Sequence, residues 1–339
     1  MVDSVAFRKS GQEFNPSLHG AALNDDLGAV QMARDEPPDG NFVLLLPPIL
    51  PGYDLQRNRW LKLSVASISP IIWQKQAFQN LYIDEETKEL LMALITNDMK
   101  SKRKRDKDVI ESKRQGLILL FHGGPGTGKT LAAECIAETA EKPLLRISVA
   151  DIGSKPAELE KLIGTAFNIG KTWDCVLLLD DAEVILEARS LNNLERNALV
   201  ATFMQLVDNL IGTLILTSSR VGTFDEAFRS RINLAVHFKP LGWEQRGSIW
   251  RKLLTKAQLS EDAEHDLVKH VELAKMNMNG RQIHNIVSGA QQLASYKKIP
   301  LDYGTLQQVI RSSEQFDKYL VQLHSGLTED EIKRDEGTR

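Results

Sequence analysis

The segment LILLFHGGPGTGKTLAAE, Leu117 to Glu134, constrains this chain more than any other. Five apolar residues lead into a stretch with four glycines between positions 123 and 128, and helix formers follow at once. A strand apolar along its whole length suits a sheet covered on both faces. Glycines let the turn after it curl until successive backbone N–H groups point inward. Residues Gly123 to Thr130 fit the pattern G-x-x-x-x-G-K-[ST]. In that pattern the curled amides and the helix N-terminus attract phosphate oxygens. The lysine, here Lys129, reaches the β- and γ-phosphates, and the hydroxyl of Thr130 ligates Mg²⁺.

A second segment, CVLLLDDAEVILEARS from Cys175 to Ser190, supplies the other half of such a site. Four apolar residues, Val176 to Leu179, end at Asp180, where a strand-end carboxylate beside the phosphate loop can hold Mg²⁺. The bland reading of Asp180 and Asp181 is a pair of acids capping a strand at the surface.

Between Gly116 and Lys239 apolar runs alternate with helical patterns, as in a parallel sheet with crossover helices, which makes the class α/β. The candidate strands are LILLF, LLRISV, CVLLLD, TLILTSS and NLAVHF. Between the second and third, Leu159, Leu162, Ile163, Ala166 and Phe167 recur at helical spacing, and Pro156 suits a first turn. Beyond Leu241 only helical patterns remain, so a small all-helical domain follows. The expected organisation is a disordered segment over 1–40 and a lead-in with short strands and a helix over 41–112. An α/β nucleotide-binding domain over 113–240, a helical lid over 241–325 and a disordered tail over 326–339 complete it.

Of 339 residues, 42% are hydrophobic and 26% charged, an ordinary globular balance. The formal net charge of −3 argues against a chain built mainly to hold nucleic acid. The basic run KSKRKR is a solvated helix end or loop, or else a nuclear localisation or phosphate-contacting patch. Two cysteines, Cys135 and Cys175, sit in apolar-patterned segments and read as reduced core residues. A cytoplasmic or nuclear location fits them. The first residues, MVDSVAFRKSGQ, lack the apolar core of a secretory signal. The run FVLLLPPILPG is broken by prolines and falls short of the ~20 residues a membrane span needs.

These motifs, in this order, resemble the AAA+ ATPases, and most closely the AAA-domain proteins common in fungi. The resemblance extends over 41–319, including LLPPILPGYDLQRNRWLKLSV ahead of the α/β segment. Members of this group are usually longer at the N-terminus, so the chain reads as a short relative or a truncated product. The resemblance implies a three-layer αβα P-loop NTPase with a five-stranded parallel sheet and an all-helical lid. Its implied cofactors are ATP and Mg²⁺, its state a homo-oligomeric ring such as a hexamer, and its partner an unidentified protein client. Adenine over guanine comes from the family, since no N-K-x-D motif is present; the base is expected near Asn80 to Asp84.

Position by position, the resemblance assigns phosphate contact to Gly123, Gly124, Pro125, Gly126, Thr127, Gly128, Lys129, Thr130 and Leu131. Metal binding falls to Thr130 and Asp180. Asp181 stands where a glutamate polarises the attacking water, and Ser219 where an asparagine orients it. Arg231, with Arg229 as a weaker candidate, occupies the position of the arginine that reaches a neighbouring subunit's nucleotide. Arg281 matches the lid arginine that senses the γ-phosphate. Each arginine has a plain alternative: Arg231 as a surface residue paired with Asp225 or Glu226, and Arg281 as decoration at a helix start.

Asp181 and Ser219 both depart from the family pattern. Aspartate keeps the charge but withdraws its oxygen by about 1 Å, and misplacement of that size can cost ~10²-fold in rate. Serine lacks the two-ended amide of asparagine. The expectation is intact binding with slow hydrolysis. Glu183 reads as a helix-start carboxylate, or as a longer acid that partly replaces the missing glutamate. The segment VADIGSKPAELE lacks the aromatic of a substrate-threading loop, which argues against threading by that loop.

Overall fold

The computed structural model describes residues 1–2, 7, 48–103, 116–148, 156–186, 194–220, 224, 226–257 and 267–323. The chain divides into two compact units, 1–72 and 73–339. In the first, strands β1 (Ile49–Asp54) and β2 (Arg59–Ser64) pair antiparallel. Asp54 accepts from the amides of Gln56 and Arg57, which closes the turn between them. Met1 and Val2 are not loosely attached: Val2 bridges to Gly52, and Met1 exchanges backbone hydrogen bonds with Tyr53. Phe7 packs edge-on against Trp60 at 5.1 Å. The remainder of the expected disordered segment, and all of 326–339, lie outside the described residues.

The second unit holds a five-stranded parallel sheet in the order β4-β5-β6-β3-β7. The strands are β3 (Leu117–Gly123), β4 (Leu144–Ser148), β5 (Val176–Asp180), β6 (Thr213–Ser218) and β7 (Leu234–Phe238). Central β5 and β6 are buried at every position, which is why their sequences are unbroken apolar runs rather than alternations.

One face, carrying Leu119, Phe121, Leu178 and Ile215, packs on α1 (Glu85–Arg103) and α2 (Lys129–Thr139) through Leu91, Ile95, Ala132 and Ile136. On the other face Leu177 lies against Gly170 of α3 (Pro156–Trp173), close enough that a Cβ at Gly170 would meet it at 2.9 Å. The helix α5 (Leu194–Asp208) packs beside α3, and the short α4 (Glu183–Leu186) and α6 (Glu226–Arg229) lie in the connections. Cys135 and Cys175 are buried free thiols, and burial pushes Cys135 up to about 11.

Among the described residues four helices follow: α7 (Trp243–Lys256), α8 (Leu267–Lys275), α9 (Gly280–Lys297) and α10 (Tyr303–Leu323). Their apolar faces meet around Trp250, Ile283, Ala290 and Leu306. Trp250 is fully buried, and its indole N–H has no partner among the described residues. Trp250→Ala is expected to destabilise the helical bundle by about 3–5 kcal/mol. Trp250→Phe, which removes the orphaned N–H along with some volume, is expected to cost less. Chemical denaturation of both variants measures the difference.

Candidate nucleotide site

The site begins where β3 ends. Gly128 takes φ +101°, a left-handed conformation that glycine adopts at no steric cost, and from it the chain enters α2. Thr127 Oγ1 donates to the carbonyl of Gly124 at 2.9 Å, and Lys129 Nζ donates to the carbonyls of Gly123 and Gly124 at 2.8 Å each. The loop is thereby closed on itself with the Lys129 ammonium inside the curl. Burial depresses the Lys129 pKa, opposed by the nearby carboxylates of Asp181, Glu183 and Asp180.

Asp180 ends β5 with its side chain almost wholly buried. Thr130 Oγ1 donates to Asp180 Oδ1 at 3.0 Å and Thr217 Oγ1 donates to the same oxygen at 2.5 Å. The guanidinium of Arg146, on β4, closes on Oδ2. Strand register explains the meeting: Leu179 pairs with Leu216, which sets Thr217 beside Asp180. Thr130 and Asp180 therefore present hard oxygen donors within hydrogen-bond reach of each other, a donor set that fits Mg²⁺.

Asp181 adopts φ +54°, which aspartate tolerates better than most residues, and its amide donates to Thr217 Oγ1 at 3.0 Å. Burial, then the charges of Asp180 and Glu183, raises its carboxyl above the ordinary aspartate value. Ser219, just past β6, donates to Glu183 Oε1 from both its amide and its hydroxyl, each at 2.6 Å.

The helical bundle reaches this loop directly. Asn279 caps α9 by accepting from the Gln282 amide at 2.9 Å, and the Gly280 amide donates to the Gly126 carbonyl at 3.0 Å. A Cβ on Gly126, at φ +70°, would stand 2.4 Å from Asn279 Oδ1, so the close approach requires glycine there. Arg281 follows one residue later.

A cavity of about 520 Å³ opens over these groups, a volume suited to a small organic ligand. Pro125 through Leu131, Asp180, Asp181, Ser219 and Arg281 all line it. Tyr82, Leu241, Ile249 and Leu253 add apolar surface, and Asn80 and Leu81 also take part. Gly123 and Gly124 lie behind the loop, holding Lys129. Arg231 is elsewhere: its Nε and a terminal nitrogen hold Asp208 at 2.6 and 3.0 Å. Arg231 Nη1 also donates to the Ala227 carbonyl at 2.7 Å, and the expected partner Asp225 lies outside the described residues. Sequence reasoning missed Arg146, Thr217 and the Asn279 cap. The one available signal for Arg146 was a lone charge in the apolar strand LLRIS.

A parallel sheet in this order, with a glycine loop leading from a central strand into a helix and a carboxylate ending the strand two places over, defines the ATP-binding P-loop NTPases. The chain belongs to the AAA family within that class. Residues 119–240 match the model of the "ATPase family associated with various cellular activities (AAA)", and 241–327 match the "Fungal AAA+ ATPase lid domain". It is 32% identical over 164 residues to CD-NTase-associated protein 6 of Escherichia coli, covering 42% of this chain and 55% of that protein. It is 30% identical over 173 residues to a putative 26S proteasome regulatory subunit homolog of Methanothermobacter marburgensis, covering 49% of this chain and 46% of that one. Against spastin of Drosophila virilis the identity is 29% over 156 residues, 43% of this chain and 20% of the relative. The chain spans about half the length of the first two of these relatives.

Removing the Arg146 guanidinium takes away the cation seated on Asp180 Oδ2. Arg146→Ala is therefore expected to make nucleotide binding more dependent on Mg²⁺. The ratio of ATP Kd without and with Mg²⁺ should rise roughly two- to fivefold, in line with a half-exposed charge pair. Fluorescent-nucleotide titration in EDTA and in Mg²⁺ measures the ratio.

Proposed function

We propose that this chain binds Mg·ATP, hydrolyses it slowly, and works as a homo-oligomeric ring that remodels or assembles protein complexes. The observation that carries the reading is the convergence of Thr130, Asp180, Asp181, Ser219 and Arg281 on one cavity above the loop that holds Lys129. Four separate stretches of sequence supply these groups, and a merely structural turn requires none of them to meet.

In this reading the loop amides and Lys129 bind the phosphates, while Thr130 and Asp180 hold the metal. Held by these two oxygen donors, Mg²⁺ would supply neutralisation of the phosphate charge. Asp181 accepts a hydrogen bond from the attacking water, and Ser219 lies within the same lining. Arg281, one residue from the Gly280–Gly126 contact, couples lid position to the γ-phosphate. Arg231 lies outside its own subunit's cavity, as a residue acting on a neighbour's nucleotide must. Its bidentate grip on Asp208 holds the guanidinium in a defined orientation before any neighbour docks. The client is a protein rather than nucleic acid, in keeping with the slightly acidic balance. No helix among the described residues is long and apolar enough to cross a membrane. A cytoplasmic or nuclear site of action suits the two buried thiols.

A second reading has the same nucleotide site serve a scaffold whose oligomeric state follows ATP with little or no turnover. The short acid at Asp181 favours it. Oligomer size measured with ATP, with ADP and without nucleotide, alongside phosphate release, separates the two: the remodeller turns over, and the scaffold only changes size.

Under the first reading Asp181→Glu restores carboxylate reach and is expected to raise steady-state turnover by roughly tenfold or more, with little change in ATP affinity. No increase would count against the geometric account of Asp181. Asp181 must also be ionised to accept a proton from water. Because its pKa is raised in the free chain, kcat/KM should fall on the acid side at a higher pH than an ordinary aspartate would dictate. The pH dependence of kcat/KM measures this limb, and Asp181→Asn should abolish it along with most of the activity.

A further inference from the structure

Glu183 belongs to the short α4 and does not line the cavity, yet it touches a residue that does. Its Oε1 accepts both the amide and the hydroxyl of Ser219 at 2.6 Å, so one carboxylate oxygen fixes both the backbone and the side chain of that serine. Such charge-assisted bonds are the strong ones, and they commit the single hydroxyl hydrogen.

We propose that Glu183 is a positioning residue that turns Ser219 into a pure hydrogen-bond acceptor toward the cavity. The proposal rests on the hydrolysis reading above. A serine hydroxyl with no such partner would rotate its hydrogen toward the nearest anion in the cavity. With the hydrogen held by Glu183, only lone pairs face inward. A water between Asp181 and Ser219 then gives one hydrogen to each, and its own lone pair is left for the phosphorus. An asparagine offers a donor and an acceptor at once; this serine offers the acceptor alone, which complements the short carboxylate of Asp181.

The length of the acid matters. Glu183 spans from the start of α4 to the residue after β6, and an aspartate at the same place would fall short by about 1 Å, a misplacement large enough to matter. The sequence DDAE thus carries its short acid at the cavity and its long acid where Ser219 has to be reached. The two departures at Asp181 and Ser219 and the glutamate at 183 become parts of one arrangement. Lys129 lies near enough to feel the charges of both Asp181 and Glu183.

The test is steady-state phosphate release by the full chain, with kcat and the KM for ATP read separately. Glu183→Ala is expected to lower kcat roughly tenfold while KM stays within about twofold, as for an interaction used mainly in the transition state. Glu183→Asp should behave the same way, whereas Glu183→Gln, which keeps an acceptor of the right length, should retain most of the activity. In a Ser219→Ala background Glu183→Ala should have a much smaller further effect, limited to the loss of the bond from the residue 219 amide. If Glu183→Ala does not fold, the contrast between Glu183→Asp and Glu183→Gln carries the decision.

The proposal is overturned if the Glu183 variants all turn over within about twofold of the native chain, or if the loss is undiminished in the Ser219→Ala background. In either case native turnover stands and the hydrolysis reading survives. Intact Mg·ATP binding with no native phosphate release would instead remove that reading, and this proposal with it.

Discussion

Asp180 is a carboxylate buried at the end of a strand that is apolar along its length, and an unpaired charge in that position would be very costly. Three elements converge to hold it: Thr130 from the first turn of α2, Thr217 from β6 and Arg146 from β4. Each reaches Asp180 only because the parallel register brings the ends of β4, β5 and β6 level beside the glycine loop. Strand order and register thus place the partners that satisfy that charge. Asp181 is tied in through its amide to the same Thr217 hydroxyl that donates to Asp180.

The helical bundle is joined to this centre by its backbone. The Gly280 amide meets the Gly126 carbonyl, and the Asn279 side chain fills the space where a Cβ on residue 126 would stand. A lid docked on the loop backbone in this way must respond to whatever the loop holds. Arg281 sits at that junction, on the side lining the cavity. Opposite it, Lys252 of α7 donates to Asn80 Oδ1 at 2.8 Å and stands 5.8 Å from the centre of the Tyr82 ring, so the bundle grips the apolar part of the cavity as well. The glycine loop, the apolar part of the cavity and the helical bundle are therefore joined by direct contacts.

The local features were legible in the sequence. GGPGTGKT announces its loop because glycines reach the positive φ found at 123, 126 and 128, and the central apolar runs announce strands because a doubly covered strand needs no alternation. Pro156 begins α3, as its fixed φ and missing N–H favour. What escaped the reading depends on strand order and register, which no local spacing encodes. Arg146 meets Asp180 across a strand pair 34 residues apart, and Arg231 finds Asp208 across 23. Glu183 and Ser219 were each singled out, but nothing in their 36-residue separation says that one carboxylate oxygen accepts two bonds from the other. Met1 and Val2 pair with β1 through their backbone, which a segment without sustained periodicity does not reveal.

The whole account turns on a triphosphate with its metal lying between the Gly123–Thr130 amides and Asp180. Calorimetric titration of the purified chain with Mg·ATP, beside Lys129→Ala, tests this most directly. The account predicts saturable one-to-one uptake with a Kd somewhere between about 1 μM and 1 mM. In Lys129→Ala it predicts a loss of roughly thirtyfold or more, as when one partner of a buried charge contact is removed. No uptake by the native chain at millimolar Mg·ATP, or equal affinity in the two proteins, would contradict it.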